Sequence, residues 1–392
     1  MNPRRTGSTP ATASWADDRC RQGLLCLSLA AAAMRAGCES GPKPESGTRM
    51  DQPGTAGALS WGFDLLIAVT IGHETYLELG VSPLGMFFPA FVALILRLFV
   101  FKDSPVHFRR YQEKPRWILY GFLLLTVVYG TVTLIGVLSV QGRPAVFQGV
   151  SNLLTTLWTL LVIFVAGQSS KEEFEQAGLQ MGDTGQGVKL VLGVVVFFAL
   201  QAGLNLLLGL GRFQGQAERV YGIAVPEGTY PLALIVAFGL AVTGVPLSGL
   251  AVAFGEEYGW RGFLQDELVK LGKRRGVLLV GLIWGLWHFP IILSGVHTYP
   301  STSLGLGLGL VFFVLWGFVQ SYAALKAKSI WAAAFLHGVV NSVYAFMLGY
   351  VVRPDDKVIS FGLGVYGLAC LAVVVLFVLR DSIWVTGSSD RG

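Results

Sequence analysis

From Trp61 onward the chain is a succession of apolar runs, each about 17–25 residues long and set off from the next by a short polar or glycine-rich break. A helix rises about 1.5 Å per residue, so such a run crosses the ~30 Å hydrocarbon layer of a bilayer. The runs fall at about 58–79, 83–101, 117–139, 146–167, 188–210, 231–254, 277–294, 303–324, 330–351 and 359–379. In lipid each backbone N–H and C=O has to be satisfied inside its own segment, and helices achieve this. The expected fold class is therefore all-α, a polytopic transmembrane helix bundle with about ten crossings.

Composition removes the alternatives. Apolar residues make up 53% of the 392 and charged residues only 14%, and mean hydropathy is +0.60. A soluble fold of this size needs more charge to cover its surface, and a disordered chain is poor in apolar residues. A formal net charge of +5 suits basic loops at one membrane face better than nucleic acid, which is not expected as a partner. The four cysteines form no metal-type or disulfide framework: Cys20, Cys26 and Cys38 lie near the N-terminus and Cys370 inside an apolar run.

Residues 1–56 differ in kind, with Pro, Ser, Thr, Gly and Arg around one apolar stretch, Leu24–Met34, too short to span. They read as a disordered tail or as an extension ahead of a start at Met50. The sequence Arg35-Ala36-Gly37-Cys38 resembles a lipoprotein box but places arginine where an aliphatic residue is expected. The rest divides into N-terminal transmembrane helices (57–230), a core of four runs (231–351), and a last helix with a short tail (352–392). With the N-terminus inside, thirteen basic residues fall in inner connections: Lys102, Arg109, Arg110, Lys114, Arg116, Lys171, Lys189, Lys270, Lys273, Arg274, Arg275, Lys326 and Lys328. Five fall in outer ones: Arg143, Arg212, Arg219, Arg353 and Lys357. This asymmetry places both termini in the cytoplasm of a multi-pass protein of the cell membrane.

Polar groups at membrane depth are costly, which makes them candidates for function. Three clusters stand out, all in the C-terminal half. In Gly255-Glu256-Glu257-Tyr258-Gly259-Trp260-Arg261, Glu257 and Arg261 lie four apart and share a helix face, while Glu256 is rotated away from the arginine. In Trp284-Gly285-Leu286-Trp287-His288-Phe289-Pro290, Trp284 and His288 are one turn apart, and Pro290 loosens the helix just beyond. In His337-Gly338-Val339-Val340-Asn341 the histidine and the asparagine again share a face. All three segments are expected to meet at a watery pocket open to the cytoplasm, with Glu256 near the inner end of its helix. Carboxylate plus imidazole suits activation of water, and imidazole plus carboxamide suits an oxyanion.

At these residues the chain resembles the intramembrane endopeptidases of the CAAX-protease and bacteriocin-processing group, also called the Abi family. The family pattern is Glu-Glu-x-x-x-Arg, then aromatic-x-x-x-His, then His-x-x-x-Asn on successive membrane helices. Here these are Glu256-Glu257 with Arg261, Trp284 with His288, and His337 with Asn341. The match covers roughly residues 231–351, and nothing in the first five helices carries it. The resemblance implies a glutamic endopeptidase without a cofactor. Glu256 and His288 would activate water, His337 and Asn341 would hold the oxyanion, and Glu257, Arg261 and Trp284 would support them. It further implies a membrane-anchored peptide as partner, a prenylated CaaX-type or bacteriocin-type substrate, and leaves the oligomeric state open. The sequence departs from the pattern at Trp260, where a small residue is usual, and this is expected to affect substrate packing.

Other readings stay open. A zinc-dependent version could draw ligands from Glu256, His288 and His337. A non-enzymatic protein, either a proton-coupled transporter or an immunity or scaffold protein, would also carry polar groups at depth. His73-Glu74 lacks the second histidine of a zincin, since position 77 is Leu, and with Asp64 these residues are expected to face the bundle interior or the interface. His107 sits in a basic loop and is expected to be solvated. His297 in an outer loop and Asp183 in an inner one carry no evident chemistry. A GxSxG elbow is absent.

Overall fold

The computed structural model describes residues 57–62, 83–139, 144–215, 218–293 and 300–385, together with Thr55. The tail to Met50, Asp64, His73, Glu74, Arg143 and His297 lie outside the described residues. Among those described, eight helical segments are long and apolar enough to cross a membrane. This is a multi-pass, all-α membrane protein. Most of the run expected at 58–79 falls outside the described residues, and the run at 359–379 is helical only over Val365–Val378, shorter than a full crossing.

The helices follow in order. α1 (Pro83–Ile95) continues as a π-turn through Val100. α2 (Arg116–Ser139) packs beside it, and α3 (Pro144–Ala166) packs on α2. The short α4 (Lys171–Gln176) is fixed by a capping box between Ser170 and Glu173, and α5 (Thr184–Leu207) is N-capped by Asp183. Three short strands follow: β1 (Gly211–Phe213), β2 (Arg219–Val220) and β3 (Ile223–Ala224).

The sixth run does not form one helix ending near the glutamates. α6 (Tyr230–Val242) breaks at Thr243, α7 (Gly244–Ser248) breaks at Gly249, and the glutamates ride on a third helix, α8 (Leu250–Gly259). Pro246, inside α7, has no N–H to give to a continuous ladder. Beyond Gly259 the chain stays helical through a π-turn (Trp260–Leu264), α9 (Gln265–Leu268) and a 3₁₀ turn ending at Leu271. Glu256 therefore lies about 20 Å of helix short of that end, deeper than its sequence position suggested.

α10 (Lys273–Trp287), α11 (Phe289–Leu293), α12 (Thr302–Ala327), α13 (Ile330–Phe346), β4 (Val352–Pro354) and α14 (Val365–Val378) complete the bundle. α13 continues as a π-turn to Val351. At one end of the bundle the backbone N–H of Asp183 meets the Ala327 carbonyl at 2.7 Å, and Lys326 pairs with Asp381 at 2.6 Å. α4 lies across this end, because Tyr111 bonds the Glu173 carbonyl and Trp331 the Leu179 carbonyl. At the other end β1 pairs antiparallel with β4, Gly211 opposite Pro354. Basic residues read from the sequence as inner and outer thus mark opposite ends.

Glycines set how closely the site helices approach. A Cβ on Gly255 would lie 2.4 Å from the Met86 carbonyl oxygen, and one on Gly259 2.4 Å from Pro89, so α8 packs backbone to backbone on α1. Likewise a Cβ on Gly317 of α12 would meet the Cα of Gly281 of α10 at 2.9 Å.

Candidate active site

Glu256 and Glu257 point into the bundle and are completely buried. An unpaired carboxylate there is costly, so the partners of each oxygen matter. Glu257 Oε1 accepts a hydrogen bond from Arg261 Nη1 at 2.9 Å, as the spacing of four predicts. The same oxygen accepts a second bond, from His337 Nδ1 at 2.7 Å. Glu256 Oε2 accepts from the indole N–H of Trp284 at 2.5 Å, while its Oε1 lies 4.0 Å from His337 Nε2. The Arg261 guanidinium stacks over the Trp284 ring at 4.4 Å. Two carboxylates, one guanidinium and one imidazole thus form a single buried cluster across α8, α10 and α13.

His288 stands where α10 gives way to α11. Its backbone N–H bonds Gly285, one residue short of the α-helical partner, and this tightening leaves the Trp284 carbonyl to accept from His288 Nδ1 at 2.8 Å. A carbonyl only accepts, so Nδ1 carries the proton and the neutral ring has its lone pair on Nε2. Phe313 of α12 stacks on the imidazole with ring centroids 3.6 Å apart. Trp287 meets it edge-on at 4.7 Å and donates its own N–H to Ser60.

Glu256, Trp284, His288, His337 and Asn341 all line one cavity of about 210 Å³. Asn341 lies exposed on this wall. The remainder of the wall is mostly apolar, including Ile291, Phe312, Phe313, Trp316, Tyr344 and Leu363. Leu363 belongs to the loop beside β4, so the cavity runs from the glutamate toward the strand end. The basic side of Glu256 is filled by buried Trp260, Arg261 and Leu264.

The structure corrects further expectations. Trp260 is fully buried, packs against Trp287, and does not line the cavity, so it is not a substrate wall. His107 is buried at 5% exposure, with Nδ1 accepting from the Arg109 N–H, and is not solvated. Gly85 and Met86 of α1 join the cavity wall, so the early helices do contribute to the site. Sequence reasoning also missed Phe313, whose partner His288 is on another helix. Among the described residues no three His, Cys, Asp or Glu side chains group as a metal site. Glu256, His288 and His337 share the cavity, but Glu256 Oε2 is taken by an indole and both Nδ1 atoms by oxygens. A zinc ion would therefore have to be held by Glu256 Oε1 and the two Nε2 atoms, with the Nδ1 hydrogen bonds behind them.

α8, the end of α10 and α13 thus bring a carboxylate, two imidazoles and a carboxamide to one cavity, groups able to activate water and to hold an oxyanion. Residues 238–343 match the family model described as type II CAAX prenyl endopeptidase Rce1-like. The chain is also 32% identical over 119 residues to CAAX prenyl protease 2 of Methanococcus maripaludis, a match that covers 29% of this chain and 42% of the relative. The resemblance read from the three motifs is thus borne out over that segment, which contains Glu256, Glu257, Arg261, Trp284, His288, His337 and Asn341. The chain spans about two fifths of the length of the curated relative it matches. No solved structure matches it.

Proposed function

We propose that the chain is an intramembrane endopeptidase, which cuts a peptide bond in a membrane-associated substrate with water activated between Glu256 and His288. The observation that carries this reading is the convergence of Glu256, His288, His337 and Asn341 on one cavity, with Glu257 and Arg261 bonded behind it. The lone pair on His288 Nε2 and the Glu256 carboxylate supply the acceptors for a proton from water. The resulting hydroxide attacks the scissile carbonyl, and the acquired proton passes to the leaving amine as the tetrahedral intermediate collapses. His337 donates its Nδ1–H in a hydrogen bond to Glu257, so donation to an oxyanion from Nε2 uses the doubly protonated ring, flanked by two carboxylates. Asn341 offers a carboxamide N–H on the same wall. The reading uses no metal.

The likeness to CAAX prenyl protease 2 supports a prenylated CaaX-type peptide, and the aromatic wall of Phe312, Phe313, Trp316 and Tyr344 suits a lipid-modified chain. A bacteriocin-type leader is the second substrate class. The basic end faces the cytoplasm, with both termini there and the cell membrane as the site of action.

The test is cleavage of a farnesylated CaaX-type peptide by purified protein. Wild type should turn over, and Glu256→Gln should lose at least about 10²-fold in rate, the scale of a lost general base, at an unchanged melting temperature. A wild-type protein that cuts neither prenylated peptides nor bacteriocin-type leaders, and whose Glu256→Ala strain accumulates no uncut membrane peptide, would overturn it.

A further inference from the structure

Trp284 touches both members of the water-activating pair, and does so through two different groups. Its indole N–H donates to Glu256 Oε2 at 2.5 Å, and its main-chain carbonyl accepts from His288 Nδ1 at 2.8 Å. We propose that Trp284 is the positioning residue of the site, holding Glu256 and His288 in register from a single point on α10. The proposal rests on the endopeptidase reading above and deepens it.

Three features of the ring argue that it is fixed rather than merely packed. It is 4% exposed. The Arg261 guanidinium covers one face at 4.4 Å, and Phe313 meets it edge-on at 5.1 Å. His337 and His288 lie edge-on at 5.8 and 5.3 Å. A ring held on these sides has one orientation for its N–H, and that orientation selects which oxygen of Glu256 is engaged. With Oε2 bound to the indole, Oε1 is the oxygen turned toward His337 Nε2. On the other arm, the carbonyl fixes the His288 tautomer and so puts the basic nitrogen on Nε2.

The two arms can be separated because only one depends on the side chain. Trp284→Phe removes the indole N–H while leaving the carbonyl to His288 and an aromatic ring under Arg261. Replacing Trp284 with β-(3-benzothienyl)alanine keeps the bicyclic shape and removes only the N–H. On a farnesylated CaaX-type peptide both variants should lose about 10- to 100-fold in kcat, the scale of a hydrogen bond to a charged group. KM should stay within about twofold in both, and melting temperature should fall further for Trp284→Phe, which leaves a cavity, than for the benzothienyl replacement, in which shape and stacking remain. In the Glu256→Gln background the same replacements should cost nothing further, since the group they act through is gone. Independently of turnover, the indole ¹⁵N–¹H resonance of Trp284 should move when Glu256 becomes Ala.

Wild-type kcat in both variants overturns the positioning role, as does a loss that adds fully to that of Glu256→Gln. An indole resonance indifferent to Glu256→Ala overturns it as well. Should the wild type cleave no peptide, the endopeptidase reading fails by itself, and the resonance still decides whether Trp284 holds Glu256.

Discussion

One oxygen of Glu257 accepts hydrogen bonds from both Arg261 and His337, so the second glutamate ties the helix that carries the first to the helix that carries Asn341. Its place behind the cavity gives it a role different from that of Glu256. Glu257→Gln leaves a buried guanidinium without its counter-charge, a change that typically costs about 3–5 kcal/mol. Yield and melting temperature should fall sharply, with a smaller loss of turnover per folded molecule. Adding Arg261→Met should recover part of the stability, because no lone charge remains. A stable but inactive Glu257→Gln would show that the two carboxylates have exchanged roles.

Asn341→Ala probes the oxyanion side. The asparagine lies exposed on the cavity wall, so its removal should leave thermal stability within about 0.5 kcal/mol of wild type. Loss of one preorganised donor should lower kcat by about 10²–10³-fold with KM little changed. Steady-state kinetics on a prenylated peptide checks both values, and an unaltered kcat would remove Asn341 from the oxyanion site.

Activity in detergent should survive strong chelators, and purified protein should hold less than stoichiometric zinc. Inactivation by EDTA that only zinc reverses would show metal chemistry in place of the glutamate mechanism.

Topology gives a prediction independent of chemistry. Reporter fusions after Lys270 and Lys328 should report the cytoplasm, and one after Lys357 the opposite face, from the excess of basic residues at the α4 end. An external Lys328 would invert the molecule in the membrane.

At the basic end Lys326 donates to Asp381 at 2.6 Å, and with the Ile383 backbone N–H it lowers the Asp381 carboxyl to about 2. Since the folded value lies below the unfolded value of about 3.9, the ion pair contributes stability above that pH and loses it as pH falls toward 2. Hydrogen-exchange protection across residues 380–385 should therefore stay high at pH 5 and fall between pH 4 and 2. Asp381→Asn should show the lower protection at pH 5 and converge with wild type near pH 2.

The parts of this site that were legible in the sequence are those set by local spacing. Glu257 and Arg261, four apart on one helix, could be paired on paper, and the three motifs could be assigned to one pocket because polar groups in lipid need a shared reason to be there. Contacts between helices have no such spacing. The Trp284 indole reaches Glu256 across 28 residues, and Phe313 reaches His288 from a different helix, a contact that no periodicity encodes. The break of the sixth run had a signal, Pro246 between Gly244 and Gly249, which the strength of the apolar run concealed. Hydropathy also says nothing about which side chains line a cavity, so the aromatic wall of Phe312, Phe313 and Trp316 was not legible.

The glycine contacts carry a mechanical consequence. Gly255 and Gly259 lock the glutamate helix to α1, and Gly281 and Gly317 lock the histidine helix to α12, each with no side chain between the backbones to act as a cushion. The site is thus a seam between two stiff plates, and the Trp284–Glu256 hydrogen bond is a clasp across it. A substrate that parts the plates along this seam stretches the clasp first and disarms the base. On the proposed endopeptidase reading, admission and hydrolysis then cannot occur in the same instant: the peptide has to be seated, and the seam shut again, before water attacks its carbonyl.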